Sequence, residues 1–138
     1  MSSVSTNPIF PQTPKTDCCV LMNANNVYYG DTEWSSIEEL IQAGSNGSII
    51  TSISAISNGT IDNSVIVQLF IQPSGTGPVY QLDSALLSTV GSNGGNPISF
   101  FRYSDDRPLR LGSNDMLYAG ISIAAPPTVT LTAQCWDY

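Results

Sequence analysis

The chain has 138 residues with four basic and eleven acidic side chains, no histidine, and a formal net charge of −7. One domain fits this length and a second has no room. The acidic balance repels a phosphate backbone, which argues against nucleic acid, and the missing histidine removes Ser-His-Asp and Cys-His catalysis and nearly every zinc site.

From the N-terminus, Pro8, Pro11 and Pro14 recur at every third position, with Ile9 and Phe10 as large apolar side chains between them. Proline spacing of this kind keeps a segment extended and out of helices and central strands. Residues 1–16 are therefore expected to be an extended arm ahead of a single domain over 17–138. The segment is either a frayed terminus or an arm that anchors Ile9 and Phe10 on a neighbouring surface. Cys18 to Met22 reads as a short strand, Asn23 to Asn26 as a turn, and Val27 to Tyr29 as a second strand. Ser35 and Ser36 each stand three positions before a glutamate, and Gly44 closes the stretch, which are the signals of a helix of about two turns. So short a helix depends on packing, and a strand over Glu39 to Ala43 competes with it.

Ser45-Asn46-Gly47 turns the chain into Ser48 to Ser57, a half-buried strand with Ile49, Thr51, Ile53 and Ala55 on one face and Ser52 and Ser54 on the other. The strongest signal follows. Val65, Val67, Leu69 and Ile71 alternate within Ser64 to Gln72, which predicts a central strand joined to the previous one as a hairpin across Asn58-Gly59. After a Gly/Pro loop, Val79 to Leu82 and Ser84 to Val90 read as strands, and Gly91 to Pro97 as a loop. Ile98 to Tyr103 and Leu109 to Leu111 are further strands. The clearest alternation lies in Leu117 to Ile123 and Val129 to Cys135, on either side of Ala125-Pro126-Pro127. The fold expected is all-β: a jelly-roll-like β-sandwich of about eight strands with an extended N-terminal arm.

Charged residues are only 11% of the chain, against about a quarter in an ordinary domain. A neutral polar surface suits packing against other subunits, and polar β domains that bind sugars share it. No apolar run approaches the roughly 20 residues that cross a bilayer, and no apolar block follows a basic start, so a soluble chain without membrane contact or secretion signal is expected. Three cysteines without such a signal predict reduced thiols, and because neighbours on a strand face opposite ways, only one of Cys18 and Cys19 can share the core with Cys135.

Candidate chemistry is sparse. The pairs Glu38-Glu39 and Asp105-Asp106 do not form a convergent acid and base, so no enzyme activity and no cofactor is expected. Arg102, Arg107 and Arg110 bracket Asp105 and Asp106, either as a loop of local ion pairs or as an interface patch. Asp105, Asp106, Asn114 and Asp115 offer oxygen to calcium, without an EF-hand spacing. Asn46-Gly47-Ser48 and Asn58-Gly59-Thr60 match the glycosylation pattern and read as turns. Tyr28, Tyr29, Trp34, Tyr80, Trp136 and Tyr138 are candidates for a sugar-stacking platform or for core and interface anchors.

Taken in order, Asn7-Pro8-Ile9-Phe10-Pro11-Gln12-Thr13-Pro14-Lys15, then Ala43-Gly44-Ser45-Asn46-Gly47-Ser48-Ile49-Ile50, then Asn58-Gly59-Thr60, Val67 to Ile71 and a terminus Ala-Gln-Cys-Trp-Asp-Tyr, the sequence resembles a family of small tailed-phage virion proteins. The resemblance spans nearly the whole chain and rests on the order of these elements. It departs from the pattern at Asp62-Asn63-Ser64 and Glu38-Glu39. It implies a structural β-sandwich similar to capsid decoration (cement) proteins, which commonly sit as trimers at three-fold positions of the shell. The partner implied is the major capsid protein, contacted through Pro8, Ile9, Phe10, Pro11 and Pro14, with synthesis in the host cytoplasm and residence on the capsid surface. A tail, fibre or baseplate module that recognises a host glycan or another virion protein is the alternative.

Overall fold

A computed structural model of the chain describes residues 13–24, 36–58, 64–88, 98–122 and 128–138. Among the described residues nine strands occur in this order: β1 (Thr13–Leu21), β2 (Glu38–Gln42), β3 (Ser48–Ser57), β4 (Val65–Gln72), β5 (Tyr80–Leu87), β6 (Ile98–Phe100), β7 (Leu109–Leu111), β8 (Met116–Ile121) and β9 (Val129–Asp137). They build two antiparallel sheets. One runs β1-β9-β3, with β6 and β7 sharing the far side of β3, and the other runs β2-β8-β4-β5. The chain crosses between sheets at most connections, with the β4–β5 hairpin and the β6–β7 connection each staying in one. Such crossing is the wiring of a jelly-roll β-sandwich.

The alternation read from the sequence identifies the inner faces. Val129, Leu131, Ala133 and Cys135 of β9 are buried, as are Leu117, Ala119 and Ile121 of β8 and Val65, Val67 and Leu69 of β4. Burying each of the Val, Leu and Ile side chains among them contributes roughly 1.5–3 kcal/mol. Leu21, Ile53 and Leu87 from strands in both sheets belong to the same core.

Several expectations are corrected. No hairpin joins β3 to β4: they lie in opposite sheets, β3 pairing with β9, β6 and β7 and β4 with β5 and β8. A strand buried on one face carries no information about which neighbour it pairs with, so adjacency in sequence misled. The segment with helix-cap signals is strand β2, so the competing reading of a strand over Glu39 to Ala43 holds, shifted by one residue, and the helix does not form. Its ladder skips a residue between Glu39 and Ile41, which lets both Leu40 and Ile41 be buried. Pairing with β8 supplies the backbone partners that a two-turn helix would lack at its ends. Residues 79–90, expected as two strands, contain one continuous β5, and β6 ends at Phe100.

The alternation of β3 also shifts. Its ladder with β9 skips a residue between Ile50 and Ser52, and the buried positions are Ser48, Ile50, Ile53, Ala55 and Ser57. Thr51 is the extra residue, and its hydroxyl donates to the Gln134 carbonyl at 3.3 Å. A bulge of this kind reverses the facing of every residue on one side of it. Ile49 and Thr51, expected on one face with Ile53 and Ala55, are consequently only partly buried while those two are in the core. The turn before β3 is as expected: Gly47 donates to Gly44 O at 3.0 Å. Gly47 has φ +90°, and a Cβ there would stand 2.6 Å from Leu111 O, so no other residue fits without a shift of backbone.

The arm boundary moves as well. Thr13 to Thr16 belong to β1, with Pro14 opposite Trp136 and Lys15 opposite Cys135. β1 is an edge strand, where the missing proline N–H is tolerated. Pro8, Ile9, Phe10 and Pro11 lie outside the described residues, as do the Val27 to Tyr29 strand, the Gly91 to Pro97 loop and the Ala125-Pro126-Pro127 break.

All three thiols are free: Cys19 and Cys135 are buried and Cys18 is exposed. Burial, reinforced by Glu38 and Cys18, pushes the Cys19 thiol up to about 12. Burial likewise raises Cys135 to about 11, against the lowering influence of Lys15. Thiols held neutral are poor nucleophiles. A thiol-specific reagent at neutral pH should therefore label Cys18 alone in the folded protein and all three cysteines after unfolding. Rapid labelling of a second cysteine in the folded state would contradict this assignment.

Candidate binding surface

The strand ladders define the outer face of the five-stranded sheet row by row. Pro14, Trp136, Ile49 and Arg110 stand side by side across β1, β9, β3 and β7. Next come Thr16, Gln134 and Ser52, followed by Cys18, Thr132, Ser54 and Phe100. The last row is Val20, Thr130, Ile56 and Ile98. Arg110 is the only charged side chain in these rows. At the far end Val20 on one flank and Ile98 and Phe100 on the other are 53%, 56% and 70% exposed, large apolar side chains on an otherwise Thr/Ser-rich face.

At the near end the indole of Trp136 remains 40% exposed. It lines a hollow of about 470 Å³ together with Ile49, Thr51, Asp105, Asp106, Pro108 and Arg110. A second hollow of about 340 Å³, lined by Pro14, Lys15, Thr16, Gln134 and Cys135, shares Trp136 and Thr51 with the first. Ile49 and Thr51 reach this place because of the bulge in β3, a shift that simple alternation conceals.

Polar contacts close the sandwich on both flanks. On one, Lys15 Nζ sits 3.0 Å from Asp137 Oδ1 and donates to Gln42 O of β2 at 2.7 Å, tying one sheet edge to the other. Ser48 Oγ donates to Asp137 and accepts from Gly44 N at 3.1 Å. Burial alone would raise the Asp137 carboxyl; the Ser48 hydroxyl and the Lys15 ammonium outweigh it and hold it below the usual value. On the other flank Asp83 of β5 faces inward, with Arg102 Nε 3.5 Å from Oδ2. Burial, with the Asp83 carboxylate close by, pushes the Tyr103 hydroxyl up to about 12.

The three arginines do not form one patch. Arg102 engages Asp83, and it lines a shallow groove of about 260 Å³ with Tyr103, Arg107, Pro108 and Leu109. Arg110 is on the Trp136 side, donating from Nη1 to the Tyr138 hydroxyl at 3.3 Å. Among the described residues neither Asp105 nor Asp106 is in an ion pair, so the loop is not held by the local pairs that its sequence suggests. Asp115 is engaged elsewhere, accepting from Ser74 N and Gly112 N at 2.8 Å each. Asn58 donates to the Thr128 and Thr130 hydroxyls at 2.6 and 2.8 Å, the role of a structural turn residue. Among the described residues no group of three or more His, Cys, Asp or Glu side chains is placed to hold a metal. Of the aromatic candidates, Trp136 and Tyr138 come together beside Arg110, Tyr80 is on β5 in the other sheet, and Tyr28, Tyr29 and Trp34 lie outside the described residues.

No family model matches the sequence, and no curated protein matches it. Among solved structures the chain is similar to Eiger TNF from S. frugiperda, with 94% of each chain covered, a TM-score of 0.53 and 7% identity. That likeness shows the fold alone, and it agrees with the jelly-roll wiring traced through the strands.

Proposed function

We propose that the chain is a non-enzymatic virion accessory protein, a capsid decoration (cement) protein that self-associates as a trimer and binds the major capsid protein on the outer surface of a phage head. The observation that carries this reading is the outer face of the five-stranded sheet. A chain of net charge −7 repels its own copies except across a surface free of acids, and the end of this face away from Asp105 and Asp106 offers one, with Val20, Ile98 and Phe100 exposed. The order of elements shared with small tailed-phage virion proteins supplies the biological setting. Many symmetric copies on a shell would add small contacts into substantial reinforcement.

Cryo-electron microscopy of virions from the phage that encodes the chain, with the sandwich docked as a rigid body, tests the reading. Density at three-fold positions on the head exterior is the expected result. Density confined to the tail or neck, or a purified protein that stays monomeric and does not bind empty shells, would overturn it.

A further inference from the structure

We infer that the hollow around Trp136 is a binding site for an uncharged oligosaccharide. The inference does not depend on the assembly reading. A sugar ring presents a flat C–H face and a rim of hydroxyls that both donate and accept, so its recognition needs an exposed aromatic plane beside groups of each kind. The site has both. The Trp136 indole forms one wall. Asp105 and Asp106 bring carboxylates that only accept, and Arg110 brings a guanidinium that only donates and is itself held by Tyr138 at 3.3 Å. Neither carboxylate is in an ion pair among the described residues. The floor is sheet, with Ile49 of β3 paired to both β9 and β7, which gives the rigidity that weak ligands require.

Charge and geometry narrow the class. Two carboxylates against one guanidinium leave the hollow negative, which disfavours phosphorylated, sulfated or uronic sugars. An extended peptide would look for an open strand edge, yet among the described residues β9, the strand that carries the indole, is paired on both sides by β1 and β3. The larger hollow, about 470 Å³, falls within the roughly 300–1,000 Å³ typical of small-ligand sites. Because Trp136 and Thr51 also line the second hollow, a chain of sugars can pass over the indole from one to the other. The exposed Ile98 and Phe100 are in other rows: Thr130, in the row of Ile98, lies six residues along β9 from Trp136, and Thr132, in the row of Phe100, four, roughly 20 and 13 Å. Both surfaces can therefore be used at once.

The test is titration of the ¹⁵N-labelled full chain with maltotriose and chitotriose as neutral probes and trigalacturonate as an anionic one, followed by amide and indole chemical shifts. Saturable shifts centred on the Trp136 indole, Ile49 and Thr51 are expected with at least one neutral trisaccharide. Trp136→Ala should weaken that binding about tenfold or more, and the pair Asp105→Asn with Asp106→Asn, in an exposed loop and neutral to folding, by about tenfold. An unchanged melting temperature in the loop variant separates lost binding from lost fold. Absence of saturable shifts with both neutral probes, binding unaffected by either variant, or tighter binding of trigalacturonate overturns the inference.

Discussion

A chain that begins at Asp17 is expected to be less stable than one that begins at Thr13 by about 3 kcal/mol, even though only four residues separate them. Thr13 to Thr16 face Asp137 to Gln134 in the β1–β9 ladder, and their removal strips several backbone hydrogen bonds from β9. It also deletes Lys15, whose ammonium sits against Asp137 and the Gln42 carbonyl. Each net hydrogen bond is worth about 1 kcal/mol, and the partly exposed ion pair adds roughly 1 kcal/mol or less. Against a total of about 5–15 kcal/mol, such a loss is large. Thermal unfolding of the two truncations side by side measures it, and a melting temperature lower by roughly 10 °C for the shorter chain is the expected result. Equal melting temperatures would mean that β1 effectively begins at Asp17 and that the Lys15 contact contributes nothing.

The second large effect concerns association. Ile98→Glu combined with Phe100→Glu should weaken self-association at least about 100-fold while changing monomer stability little. Both side chains are more than half exposed in the isolated chain, so the folded monomer loses little by their replacement. In a copy-to-copy contact they would be covered, and two buried apolar side chains contribute roughly 3–6 kcal/mol together. Two added carboxylates on each copy would also repel across the seam. Sedimentation velocity on the variant and the parent over a range of concentrations provides the measurement. A variant that associates as the parent does would move the contact away from this end of the sheet.

The fold class could be read from the sequence because β9 alternates along its whole length and β4 and β8 do so over Val65 to Leu69 and Leu117 to Ile121, and period-two burial leaves that trace directly in residue order. Strand pairing could not. Val65, Val67 and Leu69 are buried whether β4 neighbours β3 or β8, so the expected hairpin and the actual crossing are equally compatible with the pattern. The bulges were hidden for a related reason. Thr51 and Leu40 each add one residue to a strand, and nothing in their chemistry marks them as extra. The binding surface was legible in part: Trp136 and Arg110 drew attention as residue types, but their meeting depends on β9 and β7 both lying beside β3. Asp83 gave no signal at all, since an inward carboxylate on an edge strand has a rationale only once Arg102 is seen across the gap between sheets.

The pairing of Thr13 with Asp137 brings the beginning and end of the described domain to one corner of the sandwich. Facing residues in such a pair are about 5 Å apart, so the two ends could be stitched together by a few glycines and the chain reopened at another loop, a circular permutant with the same ladders. The same corner dictates the outcome of a C-terminal fusion. A tag or cargo after Tyr138 would emerge beside Pro14 and Trp136 and crowd the hollows there, leaving Ile98 and Phe100 towards the opposite end of the sheet unobstructed.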